Sequence, residues 1–150
     1  RILRQVDFTD PDQPGRDIVV IVQGIRLYVS KQLLSIHSLY FHTMFYGDFV
    51  EKSKNEIELK DLDFSEFIKL LKVIYPPSKE ITDENVECLL KLSDPFDIDW
   101  LLCKCEEYLI SSSNLELADK LALASPYRLA KLQDHCIDQL NTIEEVQRLK

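Results

Sequence analysis

The segment from Asp17 to Glu51 restricts this chain to few folds. Ile18, Val19, Val20, Ile21 and Val22 form an unbroken β-branched run, too short for a core helix and apolar at successive positions, which predicts a strand covered on both faces. Gln23 and Gly24 follow it. Glycine accepts the positive φ of a two-residue hairpin turn, and beyond the turn Ile25, Leu27 and Val29 alternate with Arg26 and Tyr28 as in a half-buried strand. Ser30 stands where it can cap a turn of helix carrying Leu33 and Leu34. Ser38 can cap a second helix carrying Tyr40, Phe41, Met44 and Phe45, which Gly47 ends.

The rest of the chain is predominantly helical in its spacing. Lys52 to Asn55 is a polar loop, and Glu56 to Leu59 alternates as a short strand. Asp63 and Glu66 have capping-box spacing ahead of Phe67, Leu70, Leu71 and Ile74, and Pro76 and Pro77 end that helix. Thr82 is a candidate cap for Val86, Leu89, Leu90 and Ser93, and Pro95 stops them. Leu101, Cys105 and Tyr108 mark a helix to about Ile110, and Ser111 to Asn114 is a polar break. Leu117, Leu121 and Ala124 make one further stripe, and Leu129, Leu132, Cys136 and Leu140 another. Thr142 and Glu145 then read as a fresh capping box before Val146 and Leu149. The sum is an α+β fold, a small three-stranded sheet packed with helices and followed by a C-terminal helical pair.

Lys and Arg number 18 against 26 Asp and Glu, for a net charge of −8. A phosphate-binding surface needs clustered cations, so this balance argues against nucleic acid as a partner. Cys88, Cys103, Cys105 and Cys136 fall within helical apolar patterns and show no metal-ligand spacing. Buried free thiols in a reducing compartment are the expectation, hence an intracellular setting, cytoplasmic or nuclear, with no metal, cofactor or membrane span. His37 beside Ser38 offers a base and a nucleophile only in sequence, since catalytic groups assemble from separate elements. With 3 glycines, no phosphate-cradling loop is expected either. The chain does not look like an enzyme.

The ordered set Asp17, Gly24, Lys31, Leu34, Ser38, Tyr40, Phe41, Met44, Phe45, Phe49 and Glu51 resembles a BTB/POZ domain. Ile57, Leu59, Asp61, Phe67, Leu71, Ile74, Tyr75, Asn85, Leu89, Asp94, Phe96, Cys105 and Leu109 continue the resemblance. It covers residues 17–110, and the extension over 111–150 is similar to the helical 3-box and start of the BACK region in MATH-BTB adaptor proteins. Residues 1–16 are linker in composition, with Ile2, Leu3, Val6 and Phe8 able to form a strand exchanged with a partner subunit.

The resemblance implies a homodimer, with Leu33 in the dimer interface and Asp17 and Lys31 as a charged pair at its groove floor. Many relatives carry histidine where this chain has Ser30, which weakens the expectation of a groove ligand. It also implies that Phe49, Val50 and Glu51 match the hydrophobic-x-Glu pattern that meets cullin-3, with Phe96 as a second candidate on that surface. The function so implied is the cullin-3-binding adaptor module of a ubiquitin ligase, whose substrate is recruited by a separate domain. The alternative is a BTB self-association scaffold, transcriptional or cytoskeletal, without cullin binding. A cullin-1-type adaptor would share the fold but not the Phe49 to Glu51 pattern.

Overall fold

In the computed structural model, which describes residues 6–47 and 55–148, the β-branched run is the middle strand of a three-stranded sheet. Strand β1 (Ile18–Val22) pairs antiparallel with β2 (Ile25–Val29) and parallel with β3 (Glu56–Leu59). Gln23 and Gly24, at φ 51 and 77, make the turn between β1 and β2. Two successive left-handed residues form the tight turn whose twist matches that of the flanking strands. A parallel partner needs a crossover, and helices α1 (Lys31–His37) and α2 (Leu39–Tyr46) lie in that connection.

One sheet face is sealed and the other is half open. Ile18, Val20, Val22, Leu27, Val29 and Leu59 are buried, whereas Val19, Ile21 and Tyr28 are only partly covered. The outer face carries charge, with Arg26 Nη1 donating to Glu56 Oε2 at 2.7 Å across β1. The expectation of a strand covered on both faces is therefore corrected: the helices cover one face, and long polar side chains shield the other. Ile25 also departs from its predicted side, at 40% exposed, because it sits next to the turn.

Helix α3 (Phe64–Ile74) buries Phe67, Leu70, Leu71, Val73 and Ile74 against the sheet and the later helices. Its cap is Asp63, which accepts from the Ser65 N–H at 3.0 Å. The reciprocal capping box is not formed, because the Glu66 carboxylate instead accepts from Lys91 Nζ at 2.9 Å. Helix α4 (Val86–Ser93) follows, and here too the expected cap differs. Thr82 contributes its backbone carbonyl to the Val86 N–H, while the Asn85 side chain accepts from the Thr82 N–H at 2.7 Å.

Helices α5 (Asp99–Ser111), α6 (Leu117–Ala124) and α7 (Ala130–Arg148) complete the chain. Leu123, Ala124, Leu129, Leu132 and Cys136 join the same core cluster as the sheet, so the extension and the β-containing body share one interior. The predicted restart at Thr142 does not occur. Its hydroxyl donates back to the Asp138 carbonyl at 3.0 Å within a continuous α7. No glycine or proline interrupts residues 127–148, and extending a formed helix costs less than nucleating another.

Phe8, one of the apolar residues of the leading segment, is built into the core. Its ring is 3% exposed, meets Tyr75 edge-on at 4.8 Å, and its carbonyl accepts from the Tyr28 N–H at 2.7 Å. A backbone bond thus ties Phe8 to β2, while Ile2 and Leu3 fall outside the described residues.

Candidate partner-binding surfaces

Ser38 joins two helices and fixes a third element against them. It receives its own backbone bond from the end of α1, its N–H donating to the Leu34 carbonyl at 2.9 Å, and its hydroxyl accepts from the Phe41 N–H at 3.2 Å to start α2. The same hydroxyl donates to the Phe96 carbonyl in the turn between α4 and α5. Ser38 is 1% exposed, so both bonds form away from water. Its hydroxyl is directed at Phe96, and His37 packs edge-on against Trp100 at 5.4 Å. Burial shifts that imidazole toward its neutral form. The two neighbours therefore act separately, as a cap and as a packing group.

Aromatic packing reinforces this junction. The Phe41 ring stacks on Phe96 at 5.2 Å and on Phe45 at 5.7 Å, and Phe67 reaches Phe96 at 5.6 Å. Buried aromatic pairs add to plain area burial, which holds α2 rigidly on the body. Above the cluster lies a shallow groove of about 540 Å³ lined by Leu39, Tyr40, Thr43, Met44, Pro95 and Asp97. Leu39 and Tyr40 are 56% and 37% exposed. An exposed apolar patch on a firmly supported helix suits a protein partner.

Of the residues expected at the cullin-facing surface, Phe96 lies among the described residues. Phe49 and Glu51 lie outside the described residues, which resume at Asn55. Phe96 is 6% exposed, its ring in the core beneath the groove, so it shapes this surface rather than offering an anchor on it. Leu39, Tyr40 and Pro95 are the accessible apolar groups there, and sequence reading did not select them. Because α2 is apolar nearly all round, its spacing alone does not say which residues face inward.

A second surface is formed by α1 and α2 together. Asp17, Gln32, Ser35, Ile36, His42 and Tyr46 line a depression of about 490 Å³, with Ile36 67% and Tyr46 50% exposed. Among the buried side-chain polar atoms of the described residues, the Ser35 hydroxyl is the one left without a hydrogen-bond partner. Leu33, predicted for an interface, is partly buried against the core, three residues before the far more exposed Ile36. Asp17 and Lys31 do meet, but through the backbone: Asp17 Oδ1 accepts from the Lys31 N–H at 2.7 Å. The ammonium of Lys31 instead lies 6.0 Å from the Phe45 ring centroid. Asp17 is thus a second cap for α1 beside Ser30, whose hydroxyl accepts from the Leu33 N–H at 3.2 Å.

The thiols are free, and Cys88, Cys105 and Cys136 are buried as expected, but Cys103 is exposed. Burial pushes the Cys105 thiol up to about 12, which keeps it protonated and unreactive. No group of ligands able to hold a metal occurs among the described residues, and no described helix is long and apolar enough to cross a membrane.

Comparison with known proteins agrees with this architecture. The family model for the BTB/POZ domain matches residues 12–113. BTB and MATH domain-containing protein 36 of Caenorhabditis elegans is 44% identical over 143 residues, 95% of this chain and 45% of that protein. Protein 38 of the same series and organism is 38% identical over 134 residues, 89% of this chain and 35% of that protein. Human Kelch-like protein 3 is 30% identical over 95 residues, 63% of this chain and 16% of that protein. The chain thus spans about half or less of the curated relatives it matches. With its hairpin-led sheet, its Ser38-capped aromatic helix and a family match across most of its length, the chain belongs to the BTB/POZ domain family.

Proposed function

We propose that this chain is a homodimeric protein-interaction domain that serves as the cullin-3-binding adaptor module of a ubiquitin ligase, its substrate recruited by a separate domain. The observation that carries the reading is the exposed Leu39 and Tyr40 groove, braced from below by Phe96 and Ser38. It lies on the helix that leads into the Phe49, Val50 and Glu51 pattern. The groove supplies the apolar centre of an interface, and the pattern supplies an aromatic anchor and a carboxylate at its edge. Relatives named for BTB with MATH domains support an adaptor that carries its recognition domain elsewhere.

The second depression, around Ile36 and Tyr46, is the proposed dimer surface, with Leu33 and Asp17 at its margin. A partner subunit would cover these apolar groups. The two surfaces have no lining residue in common, so each can serve a different partner. The test is capture on an immobilised cullin-3 N-terminal domain, with light scattering of the free chain. The wild type binds and has the mass of a dimer, Tyr40→Ala binds at least tenfold more weakly, and Ile36→Asp is monomeric. A folded dimer that is not captured would instead identify the self-association scaffold.

A further inference from the structure

Where the helical extension leaves the body of the fold, three donors converge on one carboxylate. Asp83, in the segment between α3 and α4, accepts from Tyr108 Oη at 2.7 Å and from Ser113 Oγ at 2.6 Å. Its second oxygen accepts from the Asn114 N–H at 3.2 Å. Tyr108 belongs to the end of α5, and Ser113 and Asn114 to the break before α6. Ser113 Oγ also accepts from the Leu115 N–H at 3.1 Å, which sets the direction in which the chain departs. Asp83 therefore latches the start of the extension to the body, and these bonds, Ser113's foremost, hold its carboxyl below the usual range.

The sequence around the latch is Ser111, Ser112, Ser113, Asn114, Leu115 and Glu116. Three residues after Ser111 stands Asn114 and three after Ser112 stands Leu115, whereas three after Ser113 stands Glu116, with Asp119 further on. Glu116 is exposed and its side chain makes no capping bond to α6, so the carboxylate is free for recognition. Residues 112–116 have neither helix nor strand geometry, and such a segment opens locally at low cost.

We propose that Ser113 is a phosphorylation site for an acid-directed serine kinase, and that its phosphate unlatches the extension from the body. In the step, the γ-phosphoryl group of ATP passes to Ser113 Oγ. A new P–O bond forms, the bond to the β–γ bridging oxygen breaks, ADP leaves, and the hydroxyl proton goes to the kinase's own base. The product has lost the O–H donor that stood 2.6 Å from Asp83 and holds a near-dianion in its place. Two anions cannot share that position. The buried Lys120, whose charge already favours ionised Asp83, cannot neutralise both. The latch then stays open, leaving α6 and α7 held by apolar contacts and by Glu106, whose carboxylate accepts from the Leu132 N–H at 3.1 Å.

The experiment incubates the folded chain with ATP and a purified kinase that selects a carboxylate three residues after serine. Mass spectrometry locates the phosphate and amide hydrogen exchange follows the helices. Phosphate is expected on Ser113, with α6 amides exchanging about tenfold faster and β1 amides unchanged. Ser113→Ala should take no phosphate in this segment, and Asp83→Asn, which removes the charge but keeps an acceptor, should blunt the acceleration. Phosphate on Ser111 or Ser112 alone would overturn the proposal. So would no incorporation in Asp83→Ala, where the latch is already weakened, or phosphate on Ser113 with exchange unchanged. All of these readings are independent of cullin binding.

Discussion

Replacing Ser38 by alanine removes one hydroxyl and breaks two bonds of different kinds. The first is the cap to the Phe41 N–H, whose loss in a helix of this type costs about 1 kcal/mol. The second is the bond to the Phe96 carbonyl, which leaves a buried acceptor unmet at about 1–3 kcal/mol. Together they predict a destabilisation of about 2–4 kcal/mol. Ser30→Ala supplies the reference, because Ser30 also caps a short helix through one backbone N–H, that of Leu33, but its side chain reaches no second element. It should cost about 1 kcal/mol. Urea unfolding at one fixed chain concentration measures both, with an unchanged slope expected for each variant. The Ser38 variant should exceed the Ser30 variant by at least about 1 kcal/mol. Equal losses would refute the reasoning, since the Phe96 carbonyl would then contribute nothing and the groove would lack its brace.

Three other predictions rest on separate features. Gly24→Ala places an alanine at φ 77 with open space around its Cβ and should cost about 1 kcal/mol. Gly47→Ala would bring a Cβ to 2.4 Å from the Thr43 carbonyl oxygen and should cost about 1–3 kcal/mol, so urea unfolding should rank it the worse of the two. A thiol reagent on the folded chain should modify Cys103 alone of the four cysteines, and rapid native labelling of Cys105 would contradict its burial. Burial pushes the Tyr75 phenol, whose hydroxyl accepts from the Ser30 N–H at 2.7 Å, from 10.0 up to about 12. Above pH 10 the unfolded chain has lost this proton and the folded chain has kept it. Stability should therefore fall as pH rises from 10 towards 12, by at most about 1.4 kcal/mol per unit, and Tyr75→Phe should flatten that slope in unfolding midpoints measured against pH.

The features legible in the sequence were those set by neighbouring residues. The β1–β2 hairpin, its Gln23–Gly24 turn, and the Ser30 and Ser38 caps each depend on residues within a few positions, and each formed as read. The features that escaped depend on distant partners. Glu66 left its capping box for Lys91, which approaches from another helix, and Asp17 found the Lys31 backbone rather than its charge. The site shows the same division. Phe96 matched a family position in sequence, yet its burial is decided by Phe41 and Phe67 from two other helices. Ile36 and Leu39 carried no signal of exposure, because apolar residues on short helices read as core until the packing is known. Gly47 ends α2 as expected but for another reason: its φ of −73 is ordinary, and the glycine is required by the closeness of Thr43.

The proposed cullin-3 surface combines the Leu39 and Tyr40 groove on α2 with the Phe49 to Glu51 pattern that follows the helix in sequence. Calorimetric titration of the chain with a cullin-3 N-terminal domain, wild type beside a Phe49→Ala, Glu51→Ala double variant, tests it most directly. Binding at one cullin per chain is expected for the wild type, with its loss in a double variant that still folds and dimerises. A folded, dimeric wild type that gives no heat and no complex would contradict it.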